Sequence, residues 1–152
     1  MPSHLPDALQ ELVDLFEPLQ EAERRENLIA YAEMADRYAP QSDVSYSLVD
    51  ERKDAECTDS VGIYLHLQAD GRVHFAVALG PKIQTLTRAM TAILCRGLNG
   101  SSTAEILAVT PDFVSRIIGS ELVRLRSRTV YYVLNRMQEA VKKSLSGESS
   151  LA

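Results

Sequence analysis

The feature that most constrains the fold is a pair of alternating apolar runs joined by a short glycine turn. The first run covers residues 61–68 and the second covers residues 73–79, with Asp70-Gly71 between them. Strict alternation over this length is typical of β-strands that bury one face, and Asp-Gly favours a tight turn. The sequence therefore predicts an antiparallel hairpin at the centre of the fold.

Two registers of this hairpin are possible. A two-residue turn at Asp70-Gly71 would pair Leu67 with His74 and put the two apolar rows on opposite faces. A type I turn with Gly71 as a left-handed bulge pairs Leu67 with Val73 instead. We favour the second register, because it leaves one apolar face for helices to cover. The wetter face then holds Tyr64, His66, His74 and Ala76.

Helical periodicity surrounds the hairpin on both sides. Helices are predicted after Pro6-Asp7, from about Glu21 to Tyr38, from Gly80-Pro81 to Gly97, in short pieces from Ser102 to Gly119, and from about Ser127 to Lys143. The inner face of the second helix is predicted to be Leu28, Ile29, Ala32 and Ala35. Residues 44–49 alternate and predict a short edge strand. This order predicts an α+β fold with an antiparallel sheet built on a central hairpin and helices packed on one face.

Composition narrows the class of protein. With 152 residues, 45% of them hydrophobic, and a net charge of -5, the chain fits a single domain over residues 1–143 with a flexible tail over 144–152. The acidic balance disfavours nucleic acid as a partner. No apolar stretch approaches the roughly 18 residues of a membrane helix, and the start lacks a signal-peptide pattern. A cytoplasmic location without membrane contact is expected.

Cys57 lies in a polar segment, residues 50–60, just before the first apolar run. Cysteine is among the most buried residue types, so a thiol in a charged segment calls for a reason. A loop thiol is available to a partner as a nucleophile, whereas a core thiol is not. Before any resemblance is considered, an unreactive loop thiol remains the commoner outcome.

The other candidate ligands and nucleophiles favour structural interpretations. Cys95 lies at helical spacing with no charged or histidine neighbour to activate it, so a small core filler is expected. His66 and His74 face each other in the favoured register, yet no third ligand is evident, and structural zinc takes four. Phosphate-binding, nucleophile-elbow and metal motifs are absent from the sequence. We therefore predict no metal and no cofactor.

The second half of the chain carries a set of motifs that resembles a known family. These motifs are Arg88-Ala89-Met90, Cys95-Arg96-Gly97-Leu98-Asn99-Gly100, Thr103-Ala104-Glu105-Ile106-Leu107 and Val109-Thr110-Pro111-Asp112-Phe113. With the placed elements, they are similar to the SufE family, whose members accept sulfur from cysteine desulfurases in iron-sulfur cluster assembly. The similarity runs from about Leu9 to Lys143 and implies a SufE/NifU-like fold.

The resemblance also implies a site. The family's acceptor cysteine lies between the second helix and the hairpin, where this chain has Glu56-Cys57-Thr58-Asp59-Ser60-Val61, so Cys57 takes that role. A family arginine near the start of the last helix corresponds to Arg126, expected to support the thiolate or partner docking. The implied partners are a SufS-like cysteine desulfurase and a downstream iron-sulfur scaffold. The chain would then be a sulfur acceptor and desulfurase activator rather than an autonomous enzyme.

Two alternatives from other classes stay open, and a third is disfavoured by the cysteine count. The short helices before Arg128, with their arginine-rich end, allow a helix-turn-helix DNA-binding module, although the acidity and the hairpin oppose it. An interaction module that keeps the fold but has lost sulfur transfer is a second alternative. A NifU-type scaffold would want about three cysteines by the usual thiolate ligation of clusters, and this chain has two.

Overall fold

The structure is a computed structural model, and it describes residues 4–53 and 59–147. The strands are β1 (Leu48–Lys53), β2 (Ser60–Leu67), β3 (Arg72–Leu79) and β4 (Ser101–Ser102), which form one antiparallel sheet in the order β1-β2-β3-β4. The helices are α1 (Asp7–Phe16), α2 (Glu21–Glu33), α3 (Thr85–Leu98), α4 (Thr103–Ala108), α5 (Val114–Ile118), α6 (Ser120–Leu125) and α7 (Ser127–Leu145). Short 3-10 turns cover Ala35–Tyr38 and Pro111–Phe113. The predicted α+β fold with an antiparallel sheet is confirmed.

The central hairpin has the predicted bulged turn. Leu67 pairs with Val73 and His66 pairs with His74. Gly71 adopts φ 87°, and its N–H donates to the Gln68 carbonyl at 2.9 Å. Positive φ costs glycine little, so this residue lets the chain turn without moving the apolar rows to opposite faces. The inward row is buried and comprises Val61, Ile63, Leu65, Val73, Phe75 and Val77.

The edge strand does not lie where the alternation at residues 44–49 predicted it. β1 begins at Leu48 and continues through the charged residues to Lys53, which pairs with Ser60. All six residues of β1 pair with β2, beginning with Leu48 opposite Leu65. The three charged residues at positions 51–53 are exposed. Charged side chains are well tolerated on an edge strand, because one side of its backbone already faces solvent.

Two helix predictions also need correction. The α-helical part of α2 ends at Glu33, and Ile29 is 45% exposed where it was predicted to face inward. Tyr31 is buried instead, because Leu28, Tyr31 and Ala32 share one face at i, i+3 and i+4 spacing. The third helix, α3, begins at Thr85 rather than at Gly80-Pro81.

The remaining helices follow the sequence closely. Ser102 and Glu105 form a capping box at the start of α4. Gly119, with φ 92°, ends α5 as predicted. The last helix, α7, reaches Leu145, two residues beyond its predicted end. The proposed division between domain and tail stays a prediction, since residues 148–152 lie outside the described ranges. Within those ranges, no helix has both the length and the apolar character needed to span a membrane.

Candidate functional site

The candidate site lies at the end of the hairpin formed by β1 and β2. Lys53 at the end of β1 pairs with Ser60 at the start of β2. Residues 54–58 connect these paired strand ends, and they include Cys57. Cys57 lies outside the described residues, so only the residues that flank this connection in the sequence are described.

Asp59 ties the end of this connection to the loop before α3. Its Oδ2 accepts a hydrogen bond from the Lys82 backbone N–H at 2.9 Å, and its Oδ1 accepts one from the Ser60 N–H at 2.8 Å. The bonds from the Lys82 and Ser60 N–H groups lower the pKa of Asp59 below its ordinary value, although desolvation opposes them. The carboxylate is thus held ionised close to the position of Cys57 in the sequence.

Gly80 makes this close approach possible. A Cβ atom at residue 80 would lie 2.2 Å from the Asp59 Cγ, nearer than side chains tolerate. The Gly80 N–H also donates to the Ser60 carbonyl at 3.0 Å. A side chain at position 80 would therefore push Asp59 away from the loop before α3.

Arg88, one of the residues in the family motifs, also binds the loop before α3. Its Nε donates to the Ile83 carbonyl at 3.1 Å and its Nη2 donates to the Gly80 carbonyl at 3.0 Å. Its Nη1 also lies 3.7 Å from the Asp36 carboxylate. The Gly80 carbonyl also accepts the Ile83 N–H at 3.2 Å, so residues 80–83 form a turn before α3 whose carbonyls are partly bound by the guanidinium.

Arg126 lies at the junction of α6 and α7 and is exposed. Its side chain lines a cavity of about 340 Å³ together with Gln84 and Thr85, at the start of α3. In the described part of the chain, no acidic side chain pairs with Arg126. The fold therefore brings Arg126 near the start of the helix whose preceding loop binds Asp59.

Sequence reasoning missed a buried arginine next to this hairpin. Arg136 on α7 is 2% exposed, and its Nη2 donates to the carbonyls of Asp50 and Val61 at 2.7 and 2.9 Å. Its Nη1 donates to the Tyr132 hydroxyl. Arg136 thus bonds to both strands of the hairpin that carries the candidate site. The sequence feature that indicates its burial is its position three residues after Val133, which puts it on the inward face of α7.

Asp50 provides the countercharge for this arginine. Its carboxylate lies 3.7 Å from Arg136, 3.5 Å from Arg52 and 3.5 Å from Lys143. Arg52 also pairs with Glu139 of α7 at 2.7 Å. The network joins the edge strand to the last helix, and its members beyond Arg136 and Asp50 remain partly exposed.

Cys95 does not offer a second nucleophile. Its side chain is fully buried in α3, and burial raises the pKa of its thiol strongly. A thiol without solvent access and with a raised pKa has little thiolate for exchange chemistry. The prediction of a core filler is confirmed.

His66 and His74 face each other across the hairpin, as the favoured register requires. The His66 Nδ1 lies 3.0 Å from the Ser45 carbonyl, a hydrogen-bond distance. Over residues 4–53 and 59–147, no group of three or more histidine, cysteine, aspartate or glutamate side chains is placed to hold a metal ion. The histidine pair therefore belongs to the wetter sheet face rather than to a described metal site.

Two known proteins are similar to this chain over most of its length. The chain is 28% identical to SufE-like protein 1, chloroplastic/mitochondrial, of Arabidopsis thaliana, over 96% of this chain and 40% of that protein. It is 26% identical to an uncharacterized SufE-like protein of Synechocystis, over 88% of this chain and 80% of the relative. The chain thus spans less than half of the Arabidopsis protein and most of the cyanobacterial one.

Solved structures agree with the fold. A hypothetical protein from Thermus thermophilus superposes with a TM-score of 0.73 at 25% identity, over 94% of this chain and 99% of that one. A NifU-like protein from Brucella abortus superposes with a TM-score of 0.62 at 14% identity, over 84% of this chain and 99% of that one, and shares the fold. The model of the SufE family, described as an Fe-S metabolism associated domain, matches residues 10–141. This match covers most of the chain, which therefore belongs to the SufE family.

Proposed function

We propose that this protein accepts persulfide sulfur on Cys57 from a pyridoxal-phosphate cysteine desulfurase, stimulates that enzyme, and passes the sulfur on toward an iron-sulfur scaffold. The observation that carries the proposal is the position of Cys57. In a chain of the SufE family it lies in the connection between β1 and β2, and the chain's other thiol is buried. Of the chain's two thiols, Cys57 is therefore the one proposed to react with a partner.

The proposed step is thiol–persulfide exchange. The Cys57 thiolate attacks the outer sulfur of a persulfide on the desulfurase's own cysteine. A sulfur–sulfur bond forms at Cys57, the bond within the donor persulfide breaks, and the desulfurase cysteine leaves as a thiolate. The step is redox-neutral and needs no added oxidant or reductant. The chain acts as acceptor and activator, and the desulfurase performs the cleavage of cysteine.

Asp59 and Arg126 are expected to have opposite effects on the Cys57 thiolate. Free thiols ionise with a pKa of about 8.5, so a nearby cation increases the reactive fraction. Asp59 would oppose the thiolate, but its carboxylate is already bound by two backbone N–H groups. Arg126 is proposed to supply positive charge or to contact the partner, in agreement with its exposed position at the start of α7.

The experiment is cysteine turnover by a desulfurase from the same source, with and without this protein. We expect the parent chain to raise the rate of alanine formation and Cys57→Ser to abolish that increase while still binding the desulfurase. Cys95→Ala is the matched control and should keep the increase, because Cys95 is a core residue. If Cys57→Ser stimulates like the parent, the alternative of an interaction module replaces sulfur transfer.

Location is a separate proposal. The name of the Arabidopsis relative places that protein in chloroplasts and mitochondria. A cytoplasmic location for this chain stays a prediction, and cell fractionation with an antibody to the protein tests it.

A further inference from the structure

A cleft with an apolar floor lies between α2, the start of α3 and the junction of α6 and α7. We call it the α2–α6 cleft, and its volume is about 340 Å³. Leu28, Ile29, Leu86 and Leu122 are its main apolar residues. Ile29 is 45% exposed. The cleft therefore presents apolar surface to solvent.

The charged residues that line this cleft are both arginines. Arg25 and Arg126 both line it, and no acidic residue is found among its described lining residues. Arg25 lies 3.6 Å from Glu21, but both side chains are more than 70% exposed, so the pair contributes little. The concentration of positive charge stands out because the whole chain carries a net charge of -5. An apolar floor between two arginines is complementary to an apolar side chain flanked by carboxylates.

The position of the cleft connects it to the candidate site. Gln84 and Thr85 form its edge at the start of α3. They directly follow the loop whose Lys82 N–H binds Asp59. A partner seated in the cleft would therefore contact the helix that follows the loop bound by Asp59, a residue two positions after Cys57 in the sequence.

We propose that the α2–α6 cleft is a docking site for the desulfurase, which inserts one apolar side chain over Ile29 and presents carboxylates to Arg25 and Arg126. The inference rests on the proposed function, because it takes the desulfurase as the partner. It adds the recognition chemistry: an acidic segment with a central apolar residue.

The test measures desulfurase binding by isothermal titration calorimetry with two matched pairs of variants. Arg25→Glu is compared with Arg72→Glu, since Arg72 is similarly exposed and has its own acidic neighbour, Asp70, at 3.5 Å. Ile29→Glu is compared with Leu15→Glu, because Leu15 is 48% exposed on α1. We expect the cleft variants to raise the Kd by roughly tenfold or more and the controls to change it by less than about threefold.

Raising the salt concentration should weaken parent binding and should weaken Arg25→Glu binding less, since the variant replaces an attraction with a repulsion that salt also screens. Circular dichroism checks that each variant folds, and Ile29→Ser replaces Ile29→Glu if the latter does not. Equal Kd values for cleft and control variants would overturn the proposal. A parent chain that does not bind the desulfurase would also overturn it.

Sulfur transfer is measured separately, so the two proposals can fail independently. If binding depends on the cleft but Cys57 gains no sulfur, the cleft stands and the proposed function fails. If Cys57 is loaded and the cleft variants bind normally, the cleft proposal fails alone. Sedimentation of the free protein measures self-association of the parent and the cleft variants. If the cleft variants abolish self-association and leave desulfurase binding unchanged, the cleft is assigned to a second copy of this chain instead.

Discussion

The Asp59 carboxylate accepts the backbone N–H of Lys82 at 2.9 Å, across the gap between the start of β2 and the loop before α3. This contact joins two segments that are 23 residues apart in the sequence. Asp59 is two positions after Cys57 in the sequence, and its contact anchors the start of β2 to the loop before α3.

We predict that Asp59→Ala lowers stability in a pH-dependent way. The fold lowers the pKa of Asp59 from its ordinary value of 3.8, so folding favours the ionised form. The contribution is present above pH 3.8 and is lost as the pH falls through the lower pKa of the folded state. Urea midpoints of parent and variant should therefore differ at neutral pH and converge in strong acid. The exposed Asp43 provides the control, and a difference that grows in acid would contradict the assignment.

The buried Arg136 should be far more important for stability than the exposed Arg52. Arg136→Met leaves the carbonyls of Asp50 and Val61 without their donor and removes the buried cation that lies beside the Asp50 carboxylate, at 3.7 Å. Breaking a buried ion pair on one side costs about 3–5 kcal/mol, whereas an exposed pair contributes about 0–1 kcal/mol. Chemical denaturation of Arg136→Met and Arg52→Met measures the contrast. Similar losses of unfolding free energy for both variants would show that membership of the ion-pair network, and not burial of the arginine, determines the loss.

The two faces of the hairpin should respond differently to truncation. Leu65 and Phe75 pair across β2 and β3 on the buried face. Replacing either with alanine should reduce the free energy of unfolding by about 2–5 kcal/mol. His66→Ala on the wetter face should cost less than about 1.5 kcal/mol, even though its imidazole lies near the Ser45 carbonyl. A loss for His66→Ala as large as that for Phe75→Ala would mean that a partner or a packed layer covers this face.

Arg126→Ala should reduce desulfurase stimulation without abolishing it. The proposal gives Arg126 a supporting role through charge or docking, while Cys57 supplies the reacting atom. Arg124→Ala is a suitable control, because Arg124 is 73% exposed and pairs with Glu121 one helical turn away. Dose–response curves for stimulation separate a weaker complex from a slower transfer. Activity of Arg126→Ala equal to that of the parent would remove Arg126 from the proposed site.

The hairpin and most helices were predictable because their information is local. Alternation around Asp70-Gly71 determines both the turn and the inward row, and only the bulged register puts Leu67 opposite Val73. The capping box at Ser102 is local in the same sense. These features depend on residues that are neighbours in the sequence.

The errors arise where distant residues determine the local structure. The loop before α3 is bound by Asp59, 23 positions from Lys82, and by the Arg88 side chain, and neither contact is visible in a helical pattern. The inward position of Arg136 depends on carbonyls of two strands far from it in the sequence. The same limit applies to the site. Cys57 and Arg126 were identified by resemblance, and the cleft beside Arg126 required the packing of α2 against α3.

The central claim is that Cys57 carries sulfur, and mass spectrometry of the protein after reaction with a cysteine desulfurase and free cysteine tests it most directly. After alkylation and digestion under non-reducing conditions, we predict a gain of one sulfur atom on the Cys57 peptide. The Cys95 peptide should stay unmodified, because its thiol is buried in α3. No gain on Cys57, or a gain on Cys95 alone, would contradict the account.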